Sequence, residues 1–216
     1  MASSGGPYVH HGGGQTWRMV TVETGARLHA GFQNLALAHD RLYGGVGVAL
    51  AEPRIVVSAE PSPTIRCDDE AVEPFVADAV DALGVDGARV TVEERFARHA
   101  GFGSGTQLAL ATLVAVARAH DEYADARTYA PGLGRGGRSG VGVATFEHGG
   151  VVVDAGPPPE RFPSRPPARG GWAGPPPLVP RGVPPGWGVL PRPTPRRGGE
   201  NGETGGKKKR PGGPGG

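Results

Sequence analysis

The chain has 216 residues, 37% of them hydrophobic, and a formal net charge of +2, which allows one domain with a sizeable core, or one and a fraction. The charge is unevenly placed: residues 19–155 hold 18 Asp and Glu against 11 Arg and no Lys, and every lysine lies in KKK at 207–209. An acidic, lysine-free body argues against broad binding of nucleic acid, which needs a basic face, and no apolar run reaches the length of a membrane span.

The start, MASSGGPYVHHGGGQTWRM, has no apolar stretch of the kind a secretion signal carries. Residues 1–18 are therefore expected to be a disordered extension, and the protein cytoplasmic. An acidic, lysine-poor surface suits a salt-rich cytoplasm, although a GC-biased genome also replaces Lys with Arg. From Met19, MVTVETGARLHAGF alternates apolar and polar residues and then breaks at glycines, as a strand followed by a turn does. GGVGVAL (44–50) and PRIVVSAE (53–60) read as two further strands separated by Ala51 and Glu52. Cys67 is the single cysteine, so no disulfide or cysteine zinc cluster can form within one chain. The acids of IRCDDE would raise its pKa and leave it inert.

Val72, Phe75, Val76, Ala79, Val80 and Leu83 fall on one face of an amphipathic helix that Gly84 would stop. ARVTVEER (88–95) returns to period two. GFGSGTQLALATLVAVARAH (101–120) then joins a glycine-rich half to an aliphatic half. Gly101, Gly103 and Gly105 let backbone amides approach a ligand, and Ser104 or Thr106 is placed to cap the helix that follows. The first amides of a helix lack internal partners and carry partial positive charge, so such a start suits phosphate. GVGVATFEHGGVVVDAG (140–156) reads as a hairpin turning near His148-Gly149-Gly150. GLGRGG (132–137) formally satisfies a dinucleotide fingerprint but does not join a strand to a helix, and no Walker A loop is present.

Paired strands with helices between them predict an α+β two-layer fold over residues 19–156. Residues 157–191, rich in Pro and Gly but holding Trp172 and Trp187, are expected to include extended pieces packed on that body. Residues 192–216 contain no aliphatic or aromatic side chain and are expected to be a disordered basic tail. Such a tail could serve nucleic acid or acidic lipid. The abrupt appearance of lysine favours instead a segment that is not selected, as after a change of frame.

The order of elements and the loop GFGSGTQ resemble the GHMP kinase superfamily, whose loop typically reads P-x-x-x-G-L-G-S-S-A. Here Ala97 stands at the proline, Phe102 at the leucine, and Gly105-Thr106-Gln107 replace small residues. Three blocks, RLHAGFQNLALAHDRLYGGVGVAL, HAGFGSGTQLALA and GRGGRSGVGVATFEHGGVVVDAG, are similar to the archaeal β-ribofuranosylaminobenzene 5′-phosphate synthase family. The resemblance runs from about residue 19 to about residue 190. It implies a GHMP-kinase-type N-terminal domain, ribosomal protein S5 domain 2-like, with the C-terminal domain missing from an apparently truncated chain.

That family joins phosphoribosyl pyrophosphate to 4-aminobenzoate or 4-hydroxybenzoate, losing pyrophosphate and CO2, on the route to methanopterin. Its chemistry needs multiple anionic oxygens held in place. Gly101, Gly103, Ser104, Gly105, Thr106 and Gln107 are the expected phosphate or nucleotide binders. Arg27, Arg41, Arg135 and Arg138, all in glycine-rich contexts, are the expected anion binders. His29 and His99 are the candidate titrating groups, each able to protonate a leaving group or to satisfy a turn. Asp154 is a candidate for a ribose hydroxyl or a metal, or for capping a turn. No His/Asp/Glu group has metal-ligand spacing, although phosphoribosyl pyrophosphate normally arrives with Mg2+. The expected partners are small-molecule substrates, with no nucleic acid or membrane, and a homodimer is left open. Two other readings stand beside the synthase: an ATP-dependent small-molecule kinase of the superfamily, and an inactive truncated remnant.

Overall fold

The computed structural model describes residues 7–11, 19–34, 41, 43–96, 101–137, 139–156 and 179–181. His99, Arg138, Trp172, Trp187 and the expected tail (192–216) lie outside them. Two long strands dominate, β2 (Val20–Asn34) and β3 (Tyr43–Pro61), paired antiparallel along their lengths. β3 then divides the sheet. Its C-terminal half pairs with β5 (Ala88–Glu94), which carries β4 (Arg66–Cys67) in parallel. Its N-terminal half pairs with β6 (Val151–Asp154), which in turn pairs with β7 (Val179–Arg181).

Neither long strand stops where its sequence suggested, at glycines in β2 and at Ala51 and Glu52 in β3. β2 runs on through Gly25, where a Cβ would overlap the Leu50 carbonyl oxygen, and through Gly31 at φ +82°. Both glycines sit at register shifts, so they let the strand bulge rather than turn it. The two strands expected at 44–50 and 53–60 are one strand of 19 residues. Residues 50–53, with a cis Glu52–Pro53 bond, form an excursion opposite Ala26. Residues 8–11 also differ from expectation: they form β1 (Tyr8–His11), paired antiparallel with β2 from Val20 to Glu23, rather than part of a disordered extension.

Alternation on the strands builds the core. Val20, Val22, Ile55, Val57, Ala59, Ala88 and Val90 point to one face and are at most 1% exposed. Against them pack α1 (Glu73–Leu83), ended by Gly84 in the left-handed conformation as its sequence predicts, and α2 (Ser104–Ala119). α2 is buried nearly all round because β2, β3, α1 and a later helix, α4 (Val141–His148), surround it. Leu110 and Leu113 are fully buried, each contributing about 1.5–3 kcal/mol by removal from water. The opposite sheet face is polar: Ser58 bonds Thr21 and Glu93, and Arg89 pairs with Glu60. The fold is α+β, helices on one sheet face.

The expected hairpin at 140–156 is not one. Val141–His148 form helix α4, and only 151–154 are strand. Val141 to Phe146 are all buried, so no polar side marks the helical period, and alternating Gly and Val imitate a strand. A four-residue helix, α3 (Ala126–Tyr129), capped by the Asp125 carboxylate, precedes it. Among the described residues no helix is long and apolar enough to cross a membrane. Burial is the first cause that raises the Cys67 pKa, with Asp68, Asp69 and Glu73 adding to it.

Candidate functional site

The glycine loop ends on the N-terminus of α2, as its sequence requires, but neither hydroxyl caps the helix. The N-cap is Gly103, at φ +74° and without a side-chain cap bond. Glycine is required there because the left-handed conformation costs other residues about 1–2 kcal/mol. Its carbonyl accepts from the amides of Thr106 (3.1 Å) and Gln107 (3.2 Å), so the amides of Ser104 and Gly105 are the ones the helix geometry leaves over. Phe102 anchors the loop: its carbonyl accepts from the Arg27 amide at 3.0 Å, and its ring stands edge-on to Phe96.

Two arginines flank this helix start. A Cβ on Gly103 would lie 2.6 Å from Arg27 Cγ, and one on Gly105 would lie 3.3 Å from an Arg135 Nη1. The glycines thus let two guanidinium side chains lie against the first turn. Arg27 Nε is buried and without a hydrogen-bond partner, and burial lowers the pKa of its guanidinium. Arg135 lies over the Phe75 ring, 5.4 Å from its centroid. Gly142, in the first turn of α4, brings that helix close: its Cβ position is 3.1 Å from both Arg27 Nε and Thr106 Cγ2.

Gln107 turns away from the loop. Its side-chain oxygen accepts from Thr24 Oγ1 and its nitrogen donates to the Gly142 carbonyl, both at 2.9 Å, and the residue is 1% exposed. Its side chain ties β2, α2 and α4 together instead of facing a phosphate.

A second group of residues gathers beside Arg27, on the same edge of β2. His29 Nε2 is 3.3 Å from Ser139 Oγ, and Ser139 Oγ donates to Asp154 Oδ2 at 3.0 Å. Asp154 ends β6 and is buried, accepting also from the amides of Gly140 and Gly156. Burial lowers the His29 pKa, Arg27 lowers it further, and Asp154 opposes both. Close packing of glycines makes the group possible: a Cβ on Gly45 would lie 2.9 Å from His29 Nε2, and one on Gly47 would overlap Val141 Cγ1. Arg41 bonds the Gly156 carbonyl at 2.7 Å, on the Asp154 side of the site.

The structure therefore brings together Arg27, His29, Asp154, Arg135 and the loop from Gly101 to Thr106. Sequence reasoning missed Ser139, which lies in the noted GRSGVG block but carries no motif of its own. Among the described residues no group of three His, Cys, Asp or Glu is gathered for a metal. Asp154, the one acidic candidate, spends both oxygens on protein donors. A resident magnesium ion does not fit this set.

A glycine-cradled helix start on a two-layer α+β sheet defines a domain of the GHMP kinase type, and residues 71–150 match the family described as the GHMP kinases N terminal domain. Within that superfamily the chain is a homologue of archaeal synthases. It is 38% identical over 174 residues to the β-ribofuranosylphenol 5′-phosphate synthase of Methanothermobacter thermautotrophicus, covering 74% of this chain and 53% of the relative. The proteins of that name from Archaeoglobus fulgidus and Methanocaldococcus jannaschii are 36% and 32% identical, with 80% and 62% of this chain and 56% and 46% of theirs covered. The chain spans about half the length of these relatives. A solved homoserine kinase from Cytophaga hutchinsonii is similar at 18% identity and a TM-score of 0.41, over 62% of this chain and 48% of that one.

Proposed function

We propose that this chain forms the phosphate-holding half of a phosphoribosyl-transferring, decarboxylating synthase. The reaction condenses phosphoribosyl pyrophosphate with 4-aminobenzoate or 4-hydroxybenzoate and releases pyrophosphate and CO2, on the route to methanopterin. The observation that carries the reading is the convergence of positive potential at one point. The N-terminus of α2, Arg27 with its buried Nε against Gly103, and Arg135 against Gly105 meet there, and no carboxylate pairs with Arg27 among the described residues. Such an arrangement is unfavourable by itself and favourable around a polyanion.

The chemistry asks for the same thing. Departure of pyrophosphate leaves an oxocarbenium-like ribosyl centre, and charge accumulates on the leaving oxygens. Fixed amides and guanidinium groups lower that barrier without reorganising. Arg27 offers a planar fork suited to phosphate, and the left-over amides of Ser104 and Gly105 supply donors beside it. Magnesium, where it takes part, would arrive with the pyrophosphate.

The test is release of labelled CO2 from carboxyl-labelled aminobenzoate or hydroxybenzoate by this chain joined to the C-terminal half of the Methanothermobacter relative. Release that depends on phosphoribosyl pyrophosphate and not on ATP is the expected result. Phosphorylation of a small alcohol by ATP, with no CO2 released, would overturn the synthase in favour of the kinase.

A further inference from the structure

The hydrogen bonds around Ser139 have only one consistent direction. The Asp154 carboxylate can only accept, so the single hydroxyl hydrogen of Ser139 goes to it, at 3.0 Å. Ser139 Oγ is then an acceptor toward its other two neighbours, the Val141 amide at 3.2 Å and His29 Nε2 at 3.3 Å. Nε2 must therefore carry the ring hydrogen. The other nitrogen agrees, because His29 Nδ1 accepts from the Gly31 amide at 3.2 Å on the exposed side of the ring.

We propose that Ser139 is a positioning residue that locks His29 in the Nε2–H tautomer through Asp154, so that Nδ1 carries the lone pair, held at rest by the Gly31 amide on the exposed side and released as a proton acceptor when a substrate hydroxyl displaces that long bond. What that lone pair serves rests on the synthase reading. It would take the proton of the acceptor's hydroxyl, leaving the O–H electron pair on oxygen, and return it after CO2 has left. His29 then does not act as the acid for departing pyrophosphate, the first of the two uses that its sequence context suggested.

The surroundings suit a neutral ring. The charged groups acting on it from the described residues are Arg27 of β2 and Asp154 of β6, opposite in sign. Gly45 of β3 packs beneath it without charge, and the turn leading into α4 contributes only Ser139 and the backbone that follows. Burial and Arg27 together outweigh Asp154 and hold the pKa below the ordinary value of 6.5.

Nitrogen-15 NMR of the histidine-labelled chain near neutral pH tests the lock, with His29→Asn assigning the signal. The expected spectrum has a protonated, pyrrole-like Nε2 and an unprotonated, pyridine-like Nδ1. Ser139→Ala should mix the two tautomers, and Ser139→Thr should keep the original one. A ring protonated at Nδ1 in the unsubstituted chain, or a tautomer unchanged in Ser139→Ala, would overturn the proposal whatever the variant's stability. In the completed synthase, Ser139→Ala should lower kcat about 10- to 100-fold, the usual cost of removing an outer partner that orients a ring. KM for phosphoribosyl pyrophosphate should hold, and Ser139→Thr should restore kcat. A change confined to KM contradicts the role. Absence of any CO2 release would sink the synthase reading, while the NMR result would still decide the role of Ser139.

Discussion

Gly103 and Gly101 both adopt the left-handed conformation, at φ +74° and +83°, yet their surroundings differ. A Cβ on Gly101 meets nothing within 4 Å, whereas one on Gly103 runs into the Arg27 side chain. Alanine at either position should cost about 1–2 kcal/mol of backbone strain. Only Gly103→Ala should displace Arg27 and weaken binding of phosphoribosyl pyrophosphate, about 10- to 100-fold for a lost charge-assisted contact. Calorimetry and thermal melting of the two variants separate strain from contact; equal losses of affinity would remove Arg27 from the site. His29 gives a second expectation at this scale. Its folded pKa lies below its unfolded one, so the unfolded chain binds more protons just below pH 6.5. This histidine's contribution is therefore complete above that pH and is lost as pH falls toward the folded value. His29→Asn should flatten that part of a melting-temperature profile. The residues that could be picked out in advance were those whose type is unusual for its place, namely the loop glycines, Arg27 and His29. Ser139 could not be, because a serine gains meaning only from the carboxylate and ring that the fold sets on either side of it.

Helix α1 was legible because half of it faces water, so its apolar positions keep the helical spacing. Helix α4 was not, since Val141 to Phe146 are all buried and burial on every side erases the period. Its place depends on tertiary contacts that a single segment does not display. Gly47 is one: a Cβ there would overlap Val141 Cγ1. Gly47→Ala should destabilise by about 1–3 kcal/mol through overpacking. Adding Val141→Ala should recover part of that loss, which a double-mutant cycle of thermal or urea unfolding would measure. Additive losses would show that the two side chains do not compete for the space. Gln107 is the other, since it joins Thr24 of β2 to Gly142 of α4. Gln107→Leu leaves the buried Thr24 hydroxyl without its partner, at about 1–3 kcal/mol, while the Gly142 carbonyl keeps Thr145 Oγ1. The melting temperature should fall by several degrees, and anion affinity should fall with it only if α4 shifts.

Across the molecule, positive charge is scarce in the body and is placed with purpose. The acidic excess of residues 19–155 makes the pairing of Arg27 and Arg135 at one helix start the exception on an otherwise negative domain. Arg27 Nε is buried without a hydrogen-bond partner, and no carboxylate pairs with this guanidinium among the described residues, an arrangement that costs stability and that a bound polyanion would offset. The most direct measurement is calorimetric titration of phosphoribosyl pyrophosphate into the chain, repeated with excess ATP and with Arg27→Gln. One binding site is expected, not displaced by ATP and weakened at least about tenfold by Arg27→Gln, with the variant melting no lower than the original chain. Binding of ATP in place of phosphoribosyl pyrophosphate, or an affinity indifferent to Arg27, would contradict it.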